Sequence, residues 1–367
     1  MDGQVPYGLM QAADGNFYGT TLFGGAWGGG TCGELDGCGT AFQMTPGGNL
    51  TTVYSFCSQG GCADGARPTG LIQASDGDFY GTTQYGGGTG TCAESDFAGS
   101  GCGTVIRLAL GLGLPVPVVN AGGILNSASY TTGGVAPGSI VSIFGTNLAG
   151  ATAAASAIPL PTALGDVSAV TFNGVPAGLY FVSPNQINAQ IPFDVVGNAA
   201  DGTVNVEVTR GGVTSEPQDV FVGLAAPGIF TTTANGLGQA FAYDNTTGAI
   251  AAPAGVRIGN FAAAPISVSS GHALIIACTG LGAVTPGIGD YVAASDGVLQ
   301  YAILDPLVSI GGVPAKAVYA VLSPQFVSEY QIGVIPDPTT PTGDAVPVQL
   351  EVIFMTTTDK VTIAVAP

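Results

Sequence analysis

Cysteine is the residue type in this chain best suited to chemistry, and six of the seven cysteines lie at or before Cys102. They form close pairs in glycine-rich loops: Cys32 with Cys38, Cys57 with Cys62, and Cys92 with Cys102. Locally paired cysteines predict disulfides formed in an oxidising compartment. Zinc is the alternative, but the spacings are not CxxC and the loops contain no histidine. Cys278, in the apolar segment ALIIACTG, is predicted to be a buried free thiol.

His272 is the only histidine of the sequence, so any Ser/His/Asp site would have to use it. It follows Gly271 at the start of an apolar strand pattern, where a structural or surface role fits better. The sequence contains no HExxH, P-loop or GxSxG motif. We therefore predict no catalytic residue and a protein that is not an enzyme.

Several polar residues are candidates for binding ions or sugars. Asp14, Asp76 and Asp78 fall at expected hairpin tips, where Asp stabilises turns. Calcium at Asp76 and Asp78 is the alternative, although the twelve-residue calcium loop is missing, and no other cofactor or metal is predicted. Asn49 and Asn245 each begin an N-x-T sequon and are candidate glycosylation sites.

An internal repeat organises the N-terminal region. GLMQAADGNFYGTT at residues 8–21 returns 62 residues later as GLIQASDGDFYGTT. Trp27, Tyr18, Tyr80 and Tyr85 could form an aromatic platform for sugars. Tyr18 and Tyr80 occupy the same repeat position, however, which favours packing inside the fold.

The composition restricts the function classes. Charged residues make up 8% of the chain and hydrophobic residues 46%, with a mean hydropathy of +0.45. Gly, Pro, Thr, Ser and Asn interrupt every apolar run, so no membrane-spanning segment is predicted. A formal charge of −18 without a basic patch argues against nucleic acid. Lys316 and Lys360 are the only lysines, which disfavours a Lys–Asn isopeptide crosslink.

The segments DGNFYGTT, GTAFQMTPGGNLTTVYSF and DGARPTGLIQASDGDFYGTT read as short strands joined by tight turns, about four to a unit. They resemble the bacterial GloVer repeat over residues 7–110. The resemblance implies a β-propeller-like extracellular array, but this chain holds about two units and closed propellers need four to eight. We therefore expect unpaired edges near residues 7–12 and 103–110, and association by strand addition or sheet packing.

A second tandem pair follows the Gly- and Pro-rich linker at residues 110–119. VTFNGVPA at residues 170–177 is echoed by VSIGGVPA at residues 308–315, among β-rich runs typical of sandwiches. Together with NAGGILNSASYTTGGVAPGSIVSIFGTNLA and CTGLGAVTPG, these motifs resemble the uncharacterised C-terminal domain of Solibacter-type acidobacterial surface proteins. The resemblance covers about residues 120–366 and implies two Ig-like halves without a known biochemical activity.

We thus predict an all-β chain with three parts: blade-like repeats at 1–112, one Ig-like sandwich at 113–225 and a second at 226–367. The predicted function is structural, in assembly or adhesion, as a self-associating homo-oligomer or filament subunit outside the cell or on its surface. A carbohydrate-binding module with glycan partners, or a C-terminal sorting or anchoring unit, is the alternative. Because residues 1–8 (MDGQVPYG) show no export signal, such a signal would lie upstream, or the gene model begins late.

Overall fold

The computed structural model describes residues 3–26, 37–74, 76–87, 102–111, 114–196, 202–294, 297–358 and 360–367. The chain divides into two compact units, Met1–Pro115 and Val116–Pro367, close to the first predicted boundary at 112. The described residues contain β-strands and a single short 3-10 turn, Gly60–Cys62, with no α-helix among them. This confirms the all-β prediction. None of the helical structure in this described part is long and apolar enough to cross a membrane.

The first unit contains two antiparallel sheets, which we call blade 1 and blade 2. Blade 1 follows chain order with the strands β1 Gln4–Gln11, β2 Phe17–Phe23, β3 Thr40–Met44 and β4 Leu50–Ser55. Blade 2 consists of β5 Ala66–Gln73, β6 Phe79–Tyr85 and β7 Val105–Leu108. The predicted edge strands, β1 and β7, are the outermost strands of their sheets.

The two blades share hydrogen bonds at equivalent positions of the repeat. The Tyr18 hydroxyl donates to Asp14 Oδ2 over 2.8 Å, and in the second copy the Tyr80 hydroxyl donates to Asp76 Oδ2 over 2.8 Å. Blade 2 nevertheless has three strands among the described residues, where four were expected. After Leu108 the chain is interrupted by glycine and by prolines, which have no backbone N–H to donate to a sheet.

The second unit begins with a sandwich of two antiparallel sheets, sandwich 1. Its strands are β8 Val118–Asn126, β9 Ile140–Thr146, β10 Ala153–Ala154, β11 Val167–Phe172, β12 Val175–Pro176, β13 Gly178–Val182, β14 Gln186–Gln190, β15 Gly202–Arg210, β16 Val213–Thr214 and β17 Gln218–Val222. One sheet has the order β10-β13-β14-β9-β8. In the other sheet the order is β12-β11-β15, and β15 also pairs with β16 and β17.

Sandwich 2 makes up the rest of the second unit. Its strands are β18 Gly228–Ile229, β19 Gly238–Gln239, β20 Ala242–Asp244, β21 Ile266–Ser267, β22 Leu274–Thr279, β23 Val284–Thr285, β24 Tyr301–Ala302, β25 Leu307–Ile310, β26 Val313–Leu322, β27 Tyr330–Ile335, β28 Gly343–Val352, β29 Met355–Thr356 and β30 Val361–Ala366. The long strand β26 joins both layers, because one part pairs with β25 and the other with β27. The order β18-β22-β27-β26 thereby continues into β25-β28-β30.

The VTFNGVPA and VSIGGVPA segments form equivalent hairpins in the two sandwiches. Thr171 pairs with Pro176 in the first hairpin, and Ser309 pairs with Pro314 in the second, which is the same register. Each sandwich encloses its own hydrophobic core, one spanning residues 119–222 and the other 225–365.

The two sandwiches are joined by hydrogen bonds that involve buried side chains. Asn126 Nδ2 donates to the carbonyl of Ala226 over 2.8 Å, and the backbone N–H of Ile140 donates to Thr279 Oγ1 over 3.1 Å. Thr279 ends β22, in which every residue is buried. In a strand that is buried on both faces, apolar and polar residues do not have to alternate. This explains the uninterrupted apolar run ALIIAC.

Candidate functional site

Four of the predicted disulfide residues, Cys38, Cys57, Cys62 and Cys102, lie in the described part of the first unit. Cys57 and Cys62 are bonded to each other, with their Cα atoms 4.1 Å apart. Cys38 and Cys102 are also disulfide-bonded, whereas their predicted partners Cys32 and Cys92 lie outside the described residues. Cys278 is a free thiol buried in sandwich 2, and burial raises its pKa well above the ordinary value.

The sulfur atoms of Cys38, Cys57 and Cys62 lie within 4.8 Å of one another, which is close enough for a shared metal ion. All three cysteines are disulfide-bonded, however. Zinc binds cysteine as a thiolate, so these sulfur atoms provide no zinc site while the disulfides are formed.

His272 has a carboxylate partner that the sequence did not reveal. Its Nδ1 lies 2.8 Å from Asp244 Oδ2, at the end of β20. The nearby hydroxyl of Ser270 donates to the carbonyl of Ser267 and not to the imidazole. Burial acts to raise the pKa of Asp244, but hydrogen bonds from His272 and from the backbone of Thr246 and Thr247 outweigh it and lower that pKa. The pair connects the segment that precedes β22 to the end of β20.

The candidate calcium ligands are used within the blade hairpins. Asp76 accepts hydrogen bonds from the Tyr80 hydroxyl and from the backbone of Asp78. Asp78 pairs with Arg107 over 2.6 Å, and this arginine lies on the neighbouring strand β7. These contacts leave the two carboxylates satisfied by the protein itself and fix the hairpin tip.

The two sequon asparagines are exposed. The backbone N–H of Asn49, in the turn before β4, donates to Thr45 Oγ1 over 3.1 Å. Asn245 Oδ1 accepts hydrogen bonds from the backbone N–H of Ala273 and from the Thr246 hydroxyl. Of the candidate sugar platform, Tyr18 is buried in the blade core and Trp27 lies outside the described residues. The described residues therefore do not assemble the platform.

The contact between the blades shows an unexpected asymmetry. The rings of Tyr18 and Phe79 lie 4.4 Å apart in a shared core, with exposed fractions of 1% and 0%. Tyr18 is the second residue of its Phe-Tyr pair, whereas Phe79 is the first residue of the repeated pair. Successive residues of a strand point to opposite faces. Blade 1 therefore presents one face of the repeat to the contact and blade 2 presents the other. Burial and the hydrogen bond to Asp14 raise the pKa of Tyr18 to about 12.

The outer face of blade 1 carries the residues that blade 2 buries. Phe17, the repeat equivalent of Phe79, is half-buried, and Leu9, the equivalent of the packed Leu71, is 58% exposed. Phe42 pairs with Gly19 on β2, as Ile106 pairs with Gly81 in the shared core, and both side chains are buried, so this pair shows no difference in burial. A groove of about 510 Å³ lies on this face, with Leu9 and Phe42 in its lining.

The outer face of blade 2 is the counterpart. Ile72, the repeat equivalent of Met10, is 67% exposed, while Met10 packs against the shared core. Tyr80 is half-buried and hydrogen-bonded to Asp76, whereas its equivalent Tyr18 is buried. Val105, which pairs with Thr82 on this face, is 73% exposed.

Within the described residues of the first unit, the blade pair thus has two outer faces that correspond to the two sides of its own internal contact. The sequence contained a signal for this arrangement, since an offset of 62 residues relates the matching apolar positions. It could not show which member of each Phe-Tyr pair is covered, because both faces of the strands are apolar.

Comparison with known families identifies part of the second unit. Residues 124–221 match the model of the IPT/TIG domain family. The match runs from β8 to β17, so sandwich 1 is an Ig-like TIG domain. The comparison with curated proteins found no match. The finer resemblances to the GloVer repeat and the Solibacter-type domain stay predictions.

Several solved structures are similar to this chain at low scores. A fungal alcohol oxidase of the AA5 family in complex with copper has 13% identity and a TM-score of 0.20, covering 60% of this chain and 42% of that one. The Gamma-CGTASE from Alkalophilic bacillus clarkii has 11% identity and a TM-score of 0.21, covering 76% and 34%. The I9-I11 tandem from titin has 8% identity and a TM-score of 0.21, covering 99% and 97%. This chain spans less than half of the first two, and scores this low carry no argument about function.

Proposed function

We propose that this chain is a non-enzymatic extracellular structural protein whose blade region joins copies head to tail. The observation that carries the proposal is the opposite burial within the repeated Phe-Tyr pair. Blade 1 buries Tyr18 and leaves Phe17 half-buried, whereas blade 2 buries Phe79 and leaves Tyr80 half-buried. Each free face therefore carries residues equivalent to one side of a contact that the protein already makes.

The occupant that fits each free face is a second copy of this chain. The outer face of blade 2, with Ile72 and Val105, corresponds to the face of blade 1 that is covered in the internal contact. It would dock on the outer face of blade 1 of the next copy, over Leu9 and Phe42. Such a contact uses two different surfaces, so it is heterologous and produces a ring if it closes or a filament if it does not.

Composition and fold support the structural role. Charged residues make up 8% of the chain, so few charged side chains need to be desolvated when two copies come into contact, although the net charge of −18 opposes their approach at low salt. The Cys57–Cys62 disulfide is typical of an oxidising compartment, and Ig-like TIG domains are common in extracellular proteins.

Two single substitutions test the assembly. Leu9→Asp places a charge on the outer face of blade 1, and Val105→Asp places one on the outer face of blade 2. Both side chains are exposed, so neither change is expected to unfold the protein. Sedimentation velocity should show assemblies for the parent chain and monomers for each variant. Val318→Asp, at an exposed position of sandwich 2, is the matched control and should assemble normally.

Mixing the two variants provides the decisive result. Each variant keeps one intact face, so an equal mixture should form heterodimers that grow no further. A mixture that stays monomeric contradicts head-to-tail stacking, as does a variant that assembles like the parent. A parent chain that is monomeric at high concentration contradicts the assembly function itself.

A further inference from the structure

A second feature, within the Val116–Pro367 unit, is a cavity of about 740 Å³ at the junction of the two sandwiches. Aromatic residues account for seven of its lining residues, although they make up 8% of the chain. Tyr130 and Tyr180 come from sandwich 1, while Phe241, Tyr243 and Phe261 come from sandwich 2. Both the volume and the position between domains are typical of small-molecule sites.

The aromatic walls are held in place before any ligand binds. The Tyr180 hydroxyl donates to the carbonyl of Val327 over 2.5 Å, which links the two sandwiches beside the cavity. The rings of Phe241 and Phe261 pack edge to face with centroids 5.6 Å apart. Because these side chains are already ordered, binding a ligand costs less conformational entropy of the site.

Glu329 gives the cavity its charge. It directly precedes β27 and is the one Asp, Glu, Lys, Arg or His among the described lining residues. Burial raises the pKa of Glu329, and hydrogen bonds with Gln331 and Ser323 offset the effect only in part. The other titratable groups that act on it or respond to it are Tyr180, Tyr243 and Cys278, and the pKa of each is raised, so all three are neutral at neutral pH.

The charge of Glu329 and the aromatic lining together indicate which kind of ligand the cavity can bind. A neutral apolar ligand would remove water from the carboxylate without replacing it, and this desolvation is costly. An anionic ligand would be repelled by Glu329 and by the net charge of −18. A cation instead compensates the carboxylate and is attracted by the faces of the aromatic rings.

We propose that this cavity binds a small organic ammonium ion, whose charge pairs with Glu329 and whose apolar body lies among the aromatic side chains. The site is independent of the blade contact, since all of its lining residues belong to the two sandwiches.

Benzyltrimethylammonium and benzyl alcohol are the probes that test this inference on the full chain. They share the aromatic body and differ in charge. Calorimetric titration at neutral pH should show that the ammonium ion binds about tenfold more tightly or better, because a desolvated cation–aromatic contact adds to the ion pair. Lowering the pH until Glu329 is protonated should reduce this preference, since no other carboxylate lines the described cavity and only the aromatic contacts then favour the cation.

Glu329→Gln should reduce the preference for the ammonium ion to the part that the aromatic rings provide, while the protein stays folded by circular dichroism. Asp305→Asn is the matched control, because it also removes one negative charge but lies exposed outside the cavity. It should leave binding unchanged. The inference is overturned if the two probes bind equally, if Glu329→Gln keeps the full preference, or if the ammonium ion does not bind at millimolar concentration.

Discussion

The blade pair and the sandwich pair both arise from repeated sequence, but they cover equivalent residues differently. In the sandwiches, Phe172 and its repeat equivalent Ile310 are both fully buried, each in its own core. In the blades, Phe79 is fully buried and its equivalent Phe17 is half-buried. The sandwiches repeat a closed domain with its own core, whereas the two blades are layers that share one core between them.

This difference explains why the two regions suit different tasks. A closed domain can carry a preformed cavity, such as the one at the sandwich junction. A stack of layers leaves a free face at each end, and repeat proteins cover such faces with polar caps or with further repeats. Here the free faces carry apolar residues such as Leu9 and Ile72, which favours a further layer.

The largest expected effect tests whether the sandwich cores are closed. Phe172→Ala removes a fully buried ring from sandwich 1 and should lower the free energy of unfolding by about 3–5 kcal/mol. Phe221→Ala, at a 48% exposed position of the same sandwich, is the matched control and should cost less than about 1 kcal/mol. Denaturant titration measures both. If the two substitutions cost the same, the contrast between closed and open layers does not hold for sandwich 1.

The next prediction separates the two units by their cysteines. Replacing both Cys57 and Cys62 with Ser should destabilise the blade region by about 2 kcal/mol, because the short loop they close is freed in the unfolded chain. Calorimetry should show one transition shifted downward and the transition of the sandwich unit unchanged. Cys278→Ser, which puts a hydroxyl in the sandwich 2 core, should shift only the other transition. A shift of both transitions by either change would mean that the units unfold together.

The presence of strands could be predicted from the sequence, because β-rich runs and turns are local features. The repeated segments VTFNGVPA and VSIGGVPA are an example, since each forms a hairpin in its sandwich. Burial of one blade face could not be predicted, since it depends on which layer lies beside it. The cavity was missed for a related reason. Tyr130, Tyr180, Phe241 and Glu329 are far apart in the chain, and each resembles an ordinary residue of a β domain.

A smaller effect concerns Glu329 and pH. Its pKa in the folded protein is raised by burial, so the unfolded chain ionises first as the pH rises above the ordinary glutamate value. Folding stability should therefore fall as the pH increases through this window. Glu329→Gln should be more stable than the parent at neutral pH and should lose that advantage in acid. Thermal unfolding across the acidic to neutral range measures the effect. A Glu329→Gln variant with the same pH profile of stability as the parent would contradict the raised pKa.

The smallest expected effect is that of His272→Ala, which tests the prediction that the histidine of sandwich 2 has a structural role and not a catalytic one. The change removes the partner of Asp244 at a partly exposed site and should cost less than about 1 kcal/mol. The pKa of Asp244 is lowered in the folded protein, so its contribution is present above the ordinary aspartate range and is lost as the pH falls through the folded value. The stability of the variant should therefore be lower than that of the parent at neutral pH, and the two stabilities should become equal in acid, as measured by thermal unfolding.

Assembly of the His272→Ala variant should be unchanged in sedimentation, because Asp244 and His272 lie in the Val116–Pro367 unit and not in the blade unit. A hydrolytic activity present in the parent and absent from this variant would instead assign His272 a catalytic role.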